Sequence, residues 1–390
     1  MALVALAFAS IAVSYLVLWM PRLIQWIKQR LRIIELVDRL PGPRALPLVG
    51  CAYQFSFDSY KFTYLMEEIF EKFSDGLNGN GMFRMWLGPV PVAILENSKE
   101  ISKPAEGYTR LQDWLGKGLL TSNGDNWRAR RKMLTPAFHF SILNDFVPIF
   151  NKEATILLEQ FSQFADTGRC ADVFPLIKLC TLDVICESAM GVNIRAQLGQ
   201  NKDYVRSVKD VCQLLWDRER LPWLWPTPLW ILSGKAARFE KALATVQGFS
   251  LEVIAKRKKL FAAKQRDPGQ KPAFLDLLLE MQEANCLTDN DIREEVDTFM
   301  FEGHDTVSSA LGYALFCLGN YPEEQERLFE EVKAVIGQRF AVLEEKVMLA
   351  RLVRRFRFRA TMTFEQNRGL PELILRPSQG IPLIIERRTE

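Results

Sequence analysis

The longest regular pattern of apolar positions in the chain runs from about residue 288 to residue 315 and predicts a helix. Apolar side chains recur there at the spacing of one helical face, at Ile292, Val296, Phe299, Met300, Val307, Leu311 and Leu315. Thr288 followed three residues later by Asp291 matches a capping box, which sets the start of the helix. The sequence therefore predicts a long helix that is buried on most sides.

Polar residues and a glycine interrupt this pattern between positions 302 and 306. Gly303 costs about 1 kcal/mol against Ala in a helix, and it leaves a shallow place where a flat group could approach the backbone. Glu302 and Thr306 share one face, with Asp305 next to them, and the Thr306 hydroxyl can donate to the carbonyl of residue 302. The alternative is that the side chains of Glu302 and Asp305 are simply exposed to solvent. The apolar flanks favour burial and predict a kinked helix that faces a ligand.

Residues 2–20 form an uncharged, mostly apolar run, long enough to cross a bilayer of about 30 Å as a helix. A cleaved signal peptide is the alternative, but no basic region precedes the run and the run is too long for one. A proline and four basic residues follow, Pro21, Arg22, Lys28, Arg30 and Arg32. By the positive-inside rule this flank stays cytosolic. The sequence predicts a single membrane anchor at residues 1–20, with the body of the protein facing the cytosol.

Proline and glycine concentrate in residues 40–50, which are too rich in both for a helix or a strand. Residues 21–50 are therefore interpreted as a basic flank and a stiff linker, and residues 51–390 as the main domain. Residues 82–86 and 90–95 alternate around a Gly-Pro pair and predict a hairpin. The fold class predicted from these patterns is mainly α with small β-sheets.

Composition excludes several classes of protein. With 390 residues and 48% hydrophobic content the chain can bury a large core. A formal net charge of +3 is too small to indicate a nucleic-acid binder. Seven scattered cysteines without a Cys-x-x-Cys pair fit a reducing compartment and argue against a disulfide scaffold or a zinc site. Two histidines, His139 and His304, are too few for a multi-histidine metal centre.

A second candidate site lies where Asn126 opens another helix. Trp127 and Arg131 are four residues apart, so an indole N–H and a guanidinium share one face. A guanidinium suits a carboxylate because of its forked geometry. A solvated basic face explains the same residues, and the pattern alone leaves both interpretations open.

The segment Phe-Glu-Gly-His-Asp-Thr at residues 301–306 resembles the oxygen-activating helix of the haem-thiolate monooxygenases, the cytochrome P-450 family. The branch it resembles hydroxylates fatty acids near their methyl end. The resemblance implies that Glu302 can form an ester with a haem methyl, and that Asp305 and Thr306 hand protons to iron-bound dioxygen. Where the family usually has a second Thr or Ser, this chain has Val307.

The resemblance also implies haem as the cofactor, a lipid-like small-molecule substrate, a reductase as electron donor, and the endoplasmic reticulum membrane as the location. Trp-x-x-x-Arg at residues 127–131 looks like the family's clamp on a haem propionate, and Gly303 would let the flat ring approach. Residues 373–377 and 380–385 resemble the family's terminal pair of strands.

The resemblance is interrupted between residues 332 and 336. Residues 336–346 look like the helix that directly follows the haem-ligating cysteine in the pattern Phe-x-x-Gly-x-Arg-x-Cys-x-Gly, but Val335 stands in the place of that cysteine. The family's Glu-x-x-Arg helix is also missing, because the literal matches at residues 324–327 and 365–368 lie in the wrong contexts and are interpreted as coincidence. An internal deletion near 333–337, as in a splice isoform, accounts for both absences.

This gap changes the expected function. Haem iron in this family needs a thiolate, and Val335 cannot ligate a metal. The sequence therefore predicts an incomplete monooxygenase-like fold that is inactive. The alternative is a non-catalytic membrane protein that binds lipid or the reductase partner.

Overall fold

The computed structural model describes residues 20–22, 24–46, 49–74, 82–87, 90–95, 105–138, 144–263, 272–284, 286–332, 340–371 and 373–388. In these ranges the protein is mainly helical with small β-sheets, which confirms the predicted fold class. Most of the proposed anchor, residues 1–19, and the interrupted junction at 333–339 lie outside the described residues. Among the helices that are described, none has the length and apolar character needed to span a bilayer.

The chain divides into two compact units, Met1–Glu100 and Ile101–Glu390. In the first unit, residues 24–37 are helical, residues 41–45 have no regular structure, and α1 spans Ser59–Ser74. The predicted hairpin is confirmed as strands β1 (Met82–Leu87) and β2 (Val90–Leu95), which pair antiparallel. The helix at 24–37 was not predicted from the sequence.

The second unit is built around helices that pack on one another in two apolar clusters. Its α-helices are α2 (Ala105–Leu115), α3 (Gly124–Leu134), α4 (Val147–Ser162), α5 (Phe174–Ser188), α6 (Lys202–Arg220), α7 (Thr227–Leu232), α8 (Lys235–Ala262), α9 (Phe274–Glu283), α10 (Asp289–Asn320), α11 (Pro322–Val332) and α12 (Phe340–Arg355). Helices α5 and α10 contribute to both clusters. They therefore form the centre of this unit.

Two small sheets complete the second unit. Strands β3 (Ala171–Asp172), β4 (Phe356–Ala360) and β7 (Pro382–Arg387) form one sheet in the order β3-β7-β4, and β5 (Gly369–Pro371) pairs with β6 (Leu375–Pro377). The segments that resemble a terminal strand pair do contain strands, β6 and β7, but these strands do not pair with each other. The Asp172 carboxylate accepts the Ile381 N–H at 2.8 Å, which aligns β7 with β3 instead.

Helix α12 buries an unusual carboxyl group. Glu344 is fully buried, and neither of its side-chain oxygens has a hydrogen-bond partner among the described residues. Burial raises the pKa of Glu344 well above its ordinary value, with a smaller contribution from Glu345. The nearby Cys180 thiol is also fully buried and lies 3.8 Å from the Met348 sulfur. This carboxyl group is therefore held in an apolar environment that favours its neutral form.

Candidate functional site

The central helix α10 begins where the sequence predicts. The Thr288 hydroxyl accepts the Asp291 N–H at 3.2 Å, and the Asp291 carboxylate accepts the Thr288 N–H at 2.9 Å. These two bonds form the predicted capping box. Because the cap fixes the start of the helix, it also fixes which face each later residue occupies.

One side of α10 is open in its middle and last turns. Thr306 and Ala310 are exposed, and Glu302, Tyr313 and Cys317 are half-buried. These five residues recur every three or four positions and form one face, called the open strip below. The other side chains around residues 302–317 are largely buried, which confirms the predicted burial on most sides. The Thr306 hydroxyl donates to the Glu302 carbonyl at 2.6 Å, also as predicted. A bend at this point and a ligand on this face stay predictions.

Gly303 packs against a neighbouring helix. A Cβ atom added to Gly303 would lie 2.6 Å from the Cδ1 and Cγ1 atoms of Ile185 on α5. The absent side chain therefore lets α5 and α10 approach closely, and Ile185 fills the shallow place that the sequence indicated. That Gly303 also admits a flat ring stays a prediction.

Replacing Gly303 by Ala should destabilise the fold by about 1–3 kcal/mol, because Ile185 cannot move without disturbing the core. Urea unfolding of the whole chain would measure this loss. Gly248 on α8 offers the matched control, since a methyl group added there would have nothing within 4 Å. Gly248→Ala should stabilise the helix by roughly 0.5–1 kcal/mol. Equal effects of the two substitutions would contradict the packing role of Gly303.

Asp305 lies in a buried ion cluster. The side chain is fully buried and ion-pairs with the Lys178 ammonium of α5 and, at 2.9 Å, with the Arg376 guanidinium of β6. Burial by itself would raise the pKa of Asp305, but the charges of Lys178 and Arg376 outweigh it and hold the pKa well below its ordinary value. Burial in turn lowers the pKa of Lys178. Asp305 is therefore a firmly ionised group on the side of α10 away from the open strip.

His304 lies on the buried side of α10 as well. Its Nδ1 is 2.6 Å from the Met300 carbonyl, and the Thr181 hydroxyl donates to the His304 carbonyl at 3.0 Å. Burial lowers the pKa of His304 to about 4. The imidazole is therefore neutral at physiological pH and is directed into the core.

Helix α3 begins two residues before the predicted start at Asn126, and Trp127 and Arg131 are both exposed on it. The intervening Arg130 points inward, and its guanidinium donates to Glu295 at 2.6 Å and to Asp291 at 2.7 Å. These bonds tie α3 to the first turns of α10. The predicted clamp of Trp127 and Arg131 on a carboxylate stays a prediction.

Three cations that the sequence analysis did not single out thus organise the site. Arg130 positions α3, while Lys178 and Arg376 neutralise Asp305. The sequence contains one signal for these cations, which is Lys178 within the mostly apolar first half of α5. A charge in such a run requires a buried partner.

All seven cysteines lie in described parts of the chain, so each has a known place. Cys180, Cys186 and Cys212 are buried in the second unit, and Cys170 and Cys286 are exposed in loops. Cys317 lies on α10, and Cys51 lies in the first unit. Burial raises the pKa of the Cys180 and Cys186 thiols. Cys317 belongs to the open strip itself and cannot face it from across a ligand. Val335 lies outside the described residues.

The literal Glu-x-x-Arg match on α11 is a surface ion pair. The Arg327 guanidinium contacts the Glu324 carboxylate at 2.8 Å, and the two side chains are 72% and 59% exposed. Such a pair contributes roughly 0–1 kcal/mol and supports no pocket. Its exposure agrees with the interpretation of this match as coincidence.

Comparisons with known proteins agree with the resemblance. The family model for cytochrome P450 matches residues 40–339. Cytochrome P450 4c3 of Drosophila melanogaster is 37% identical over 346 residues, which cover 81% of this chain and 63% of that protein. Cytochrome P450 4V2 of Pongo abelii is 39% identical over 358 residues, covering 86% and 66%. Cytochrome P450 4V2 of Homo sapiens is 40% identical over 318 residues, covering 76% and 59%. The chain therefore spans between 59% and 66% of the length of these relatives.

Proposed function

This chain belongs to the cytochrome P450 family, and on that premise we propose that it is a lipid-directed relative of the haem monooxygenases that has lost the residue needed to bind the haem iron. The proposal keeps the family's substrate class, fatty acids or similar lipids, for the intact form of the protein. We expect no catalytic turnover by the present chain. The single observation that carries this is the placement of the cysteines.

Haem is the cofactor that the family implies, and one side of such a site has suitable residues. The open strip on α10 carries the Thr306 hydroxyl next to the half-buried Glu302, and Asp305 lies one position away. A flat ring could lie along this strip if a wall on its other side supplied an iron ligand. Asp305 and Thr306 are then the proposed proton-handling pair, and Trp127 with Arg131 the proposed propionate clamp.

The iron ligand is missing from its place in the family pattern, where this chain has Val335. Cys180 and Cys186 are enclosed in the core as thiols, and Cys317 extends from α10 on the same side as Thr306. The neutral His304 is directed away from the strip. Because haem-thiolate chemistry depends on the thiolate, no step of oxygen activation is assigned to this chain.

The reduced, carbon-monoxide difference spectrum of the purified, haem-supplemented chain tests the proposal. We expect no thiolate-type Soret band, while a family member that carries the ligating cysteine shows one under the same conditions. A Cys317→Ser variant provides the matched control for accidental ligation. A thiolate-type band in this chain, whether or not Cys317→Ser abolishes it, would overturn the proposal of inactivity.

A second candidate function is binding of the family's reductase without catalysis. Helix α3 supports it, since Arg128, Arg131 and Lys132 are all exposed and present a basic face. Such a face suits an acidic protein surface. Pull-down of the reductase by the whole chain, weakened by Arg131→Glu combined with Lys132→Glu, is the expected result. Unchanged capture by this variant would contradict a role for α3.

We also propose that the protein resides at the endoplasmic reticulum membrane, anchored through residues 1–20 with its body in the cytosol. The uncharged run at residues 2–20 and the basic residues after it support this location. Helix α7 offers a further apolar surface, because Leu229, Ile231 and Leu232 are 46%, 60% and 82% exposed.

A further inference from the structure

No described residue of the helix at 24–37 is fully buried. Every described residue from 20 to 37 is exposed or half-buried, and Trp26 and Leu31 are 61% and 60% exposed. A helix of this length is marginal in water without tertiary contacts. Its C-terminal end is held, because the Asp38 carboxylate accepts the Trp86 indole N–H of β1 at 3.1 Å. The described part of the protein therefore leaves most of this helix uncovered.

Most charged side chains lie on a different face of this helix from the apolar ones, and the exception is the half-buried Arg30, which lies on the apolar side three residues from Ile27 and Ile33. One face carries Ile24, Ile27, Leu31 and Ile34, which are spaced by three or four residues. Another face carries Gln25, Lys28, Arg32 and Glu35 at the same spacing. Trp26 and Ile33 extend the apolar side, and both are exposed. The helix is therefore amphipathic, with a polar face that contains basic residues.

The helix and the residues next to it carry an excess of positive charge. Residues 20–40 contain five basic and two acidic side chains, Arg22, Lys28, Arg30, Arg32, Arg39, Glu35 and Asp38, which sum to +3. The whole chain also has a formal net charge of +3. Within residues 24–37 the sum is +2, from Lys28, Arg30, Arg32 and Glu35. Two copies of such a helix would repel each other, whereas an anionic surface would attract it.

We propose that residues 24–37 lie in the plane of an anionic lipid surface. Ile24, Ile27 and Leu31 enter the boundary of the acyl chains, and Trp26 lies at the level of the headgroups. Lys28 and Arg32 contact the lipid phosphates, and their long aliphatic stems let them reach the headgroups from the side of the helix. The inference rests on the proposed membrane location and adds to it the class of lipid and the segment that recognises it.

Amide hydrogen exchange of the full-length chain in lipid discs tests the inference. One set of discs contains phosphatidylcholine alone, and the other contains phosphatidylcholine with phosphatidylserine. Amides of residues 24–37 should exchange roughly tenfold or more slowly in the anionic discs, since each basic side chain near the surface adds to the binding. Lys28→Glu combined with Arg32→Glu should abolish this difference between the two discs.

The matched control reverses two equally exposed basic residues elsewhere, Arg206→Glu with Arg327→Glu, whose side chains are 75% and 72% exposed. This variant has the same net charge as the test variant and should keep the wild-type difference. Equal exchange of residues 24–37 in both discs, or a difference that survives Lys28→Glu with Arg32→Glu, would overturn the inference. A lipid-independent dimer that these substitutions dissociate would also overturn it. Failure of the chain to enter either disc would instead contradict the membrane location.

Discussion

Asp305→Asn should cost the fold about 3–5 kcal/mol at pH 7, the largest loss expected from a single substitution in the site. Asparagine keeps the shape of the side chain but removes the negative charge that contacts both Lys178 and Arg376 in this buried cluster. Two cations then remain in the core without that counter-charge. The free energy of unfolding, measured by urea titration of the whole chain, reports the loss.

The control for this prediction is the same chemical change on the same helix. The Asp289 side chain is 79% exposed and pairs with Lys258 on the surface. Asp289→Asn should cost less than about 1 kcal/mol. In the Asp305→Asn background, Lys178→Met should recover part of the stability because it removes one of the two cations. Equal losses for Asp305→Asn and Asp289→Asn would show that the ion cluster contributes nothing.

Acid titration gives an independent measure of the Asp305 cluster. The pKa of Asp305 in the fold lies below the value of 3.8 for the free side chain. Its stabilising effect is therefore fully present above about pH 4 and is lost as the pH falls through the lower, folded value. The wild-type chain should lose this contribution in strong acid, while Asp305→Asn should lack that component of the pH dependence.

Glu344→Met should stabilise the chain by roughly 2–4 kcal/mol at pH 8, which makes it the largest gain expected. The Glu344 carboxyl group is buried without a hydrogen-bond partner for either oxygen, and methionine has a similar volume. Since the pKa of Glu344 in the fold is raised above the value of 4.5 for the free side chain, the folded state retains the proton. Stability of the wild-type chain therefore falls as the pH rises above about 4.5.

The gain from Glu344→Met should thus be large at pH 8 and small below pH 4, where the carboxyl group is neutral in both states. Unfolding curves at the two pH values measure the difference. Glu345→Met, at the half-buried neighbouring position, is the control and should change stability by less than about 1 kcal/mol. A loss of stability in Glu344→Met at pH 8 would show that the carboxylate has a partner, such as a bound cation.

Local chemistry explains which features could be predicted from the sequence. The capping box at Thr288, the apolar period of α10 and the bond from Thr306 to the carbonyl of residue 302 involve residues at most four positions apart. Such interactions can be predicted from a short stretch of sequence. The hairpin of β1 and β2 is local in the same sense.

The features that the sequence analysis missed depend on distant pairs. Arg376 lies 71 residues from Asp305 along the chain, and Arg130 lies 165 residues from Glu295. The sequence alone does not distinguish a basic residue on a surface helix from one in a buried ion pair, because the difference depends on the tertiary fold. The packing of Ile185 against Gly303 is likewise set by how α5 crosses α10. The helix at 24–37 was not predicted because its basic residues also fit the flank of a membrane anchor.

The order of strands in the sheet β3-β7-β4 constrains how the protein is made. Asp172 and Ile381, which join β3 to β7, are 209 residues apart, and β7 is the middle strand. During synthesis β3 leaves the ribosome long before β7 exists, so β3 and β4 have no partner until translation has passed residue 387. The apolar faces that this sheet covers are exposed for that interval. A nascent chain of this protein should therefore depend on chaperones until late in translation, and a ribosome that stalls before β7 should release a product that cannot close its core.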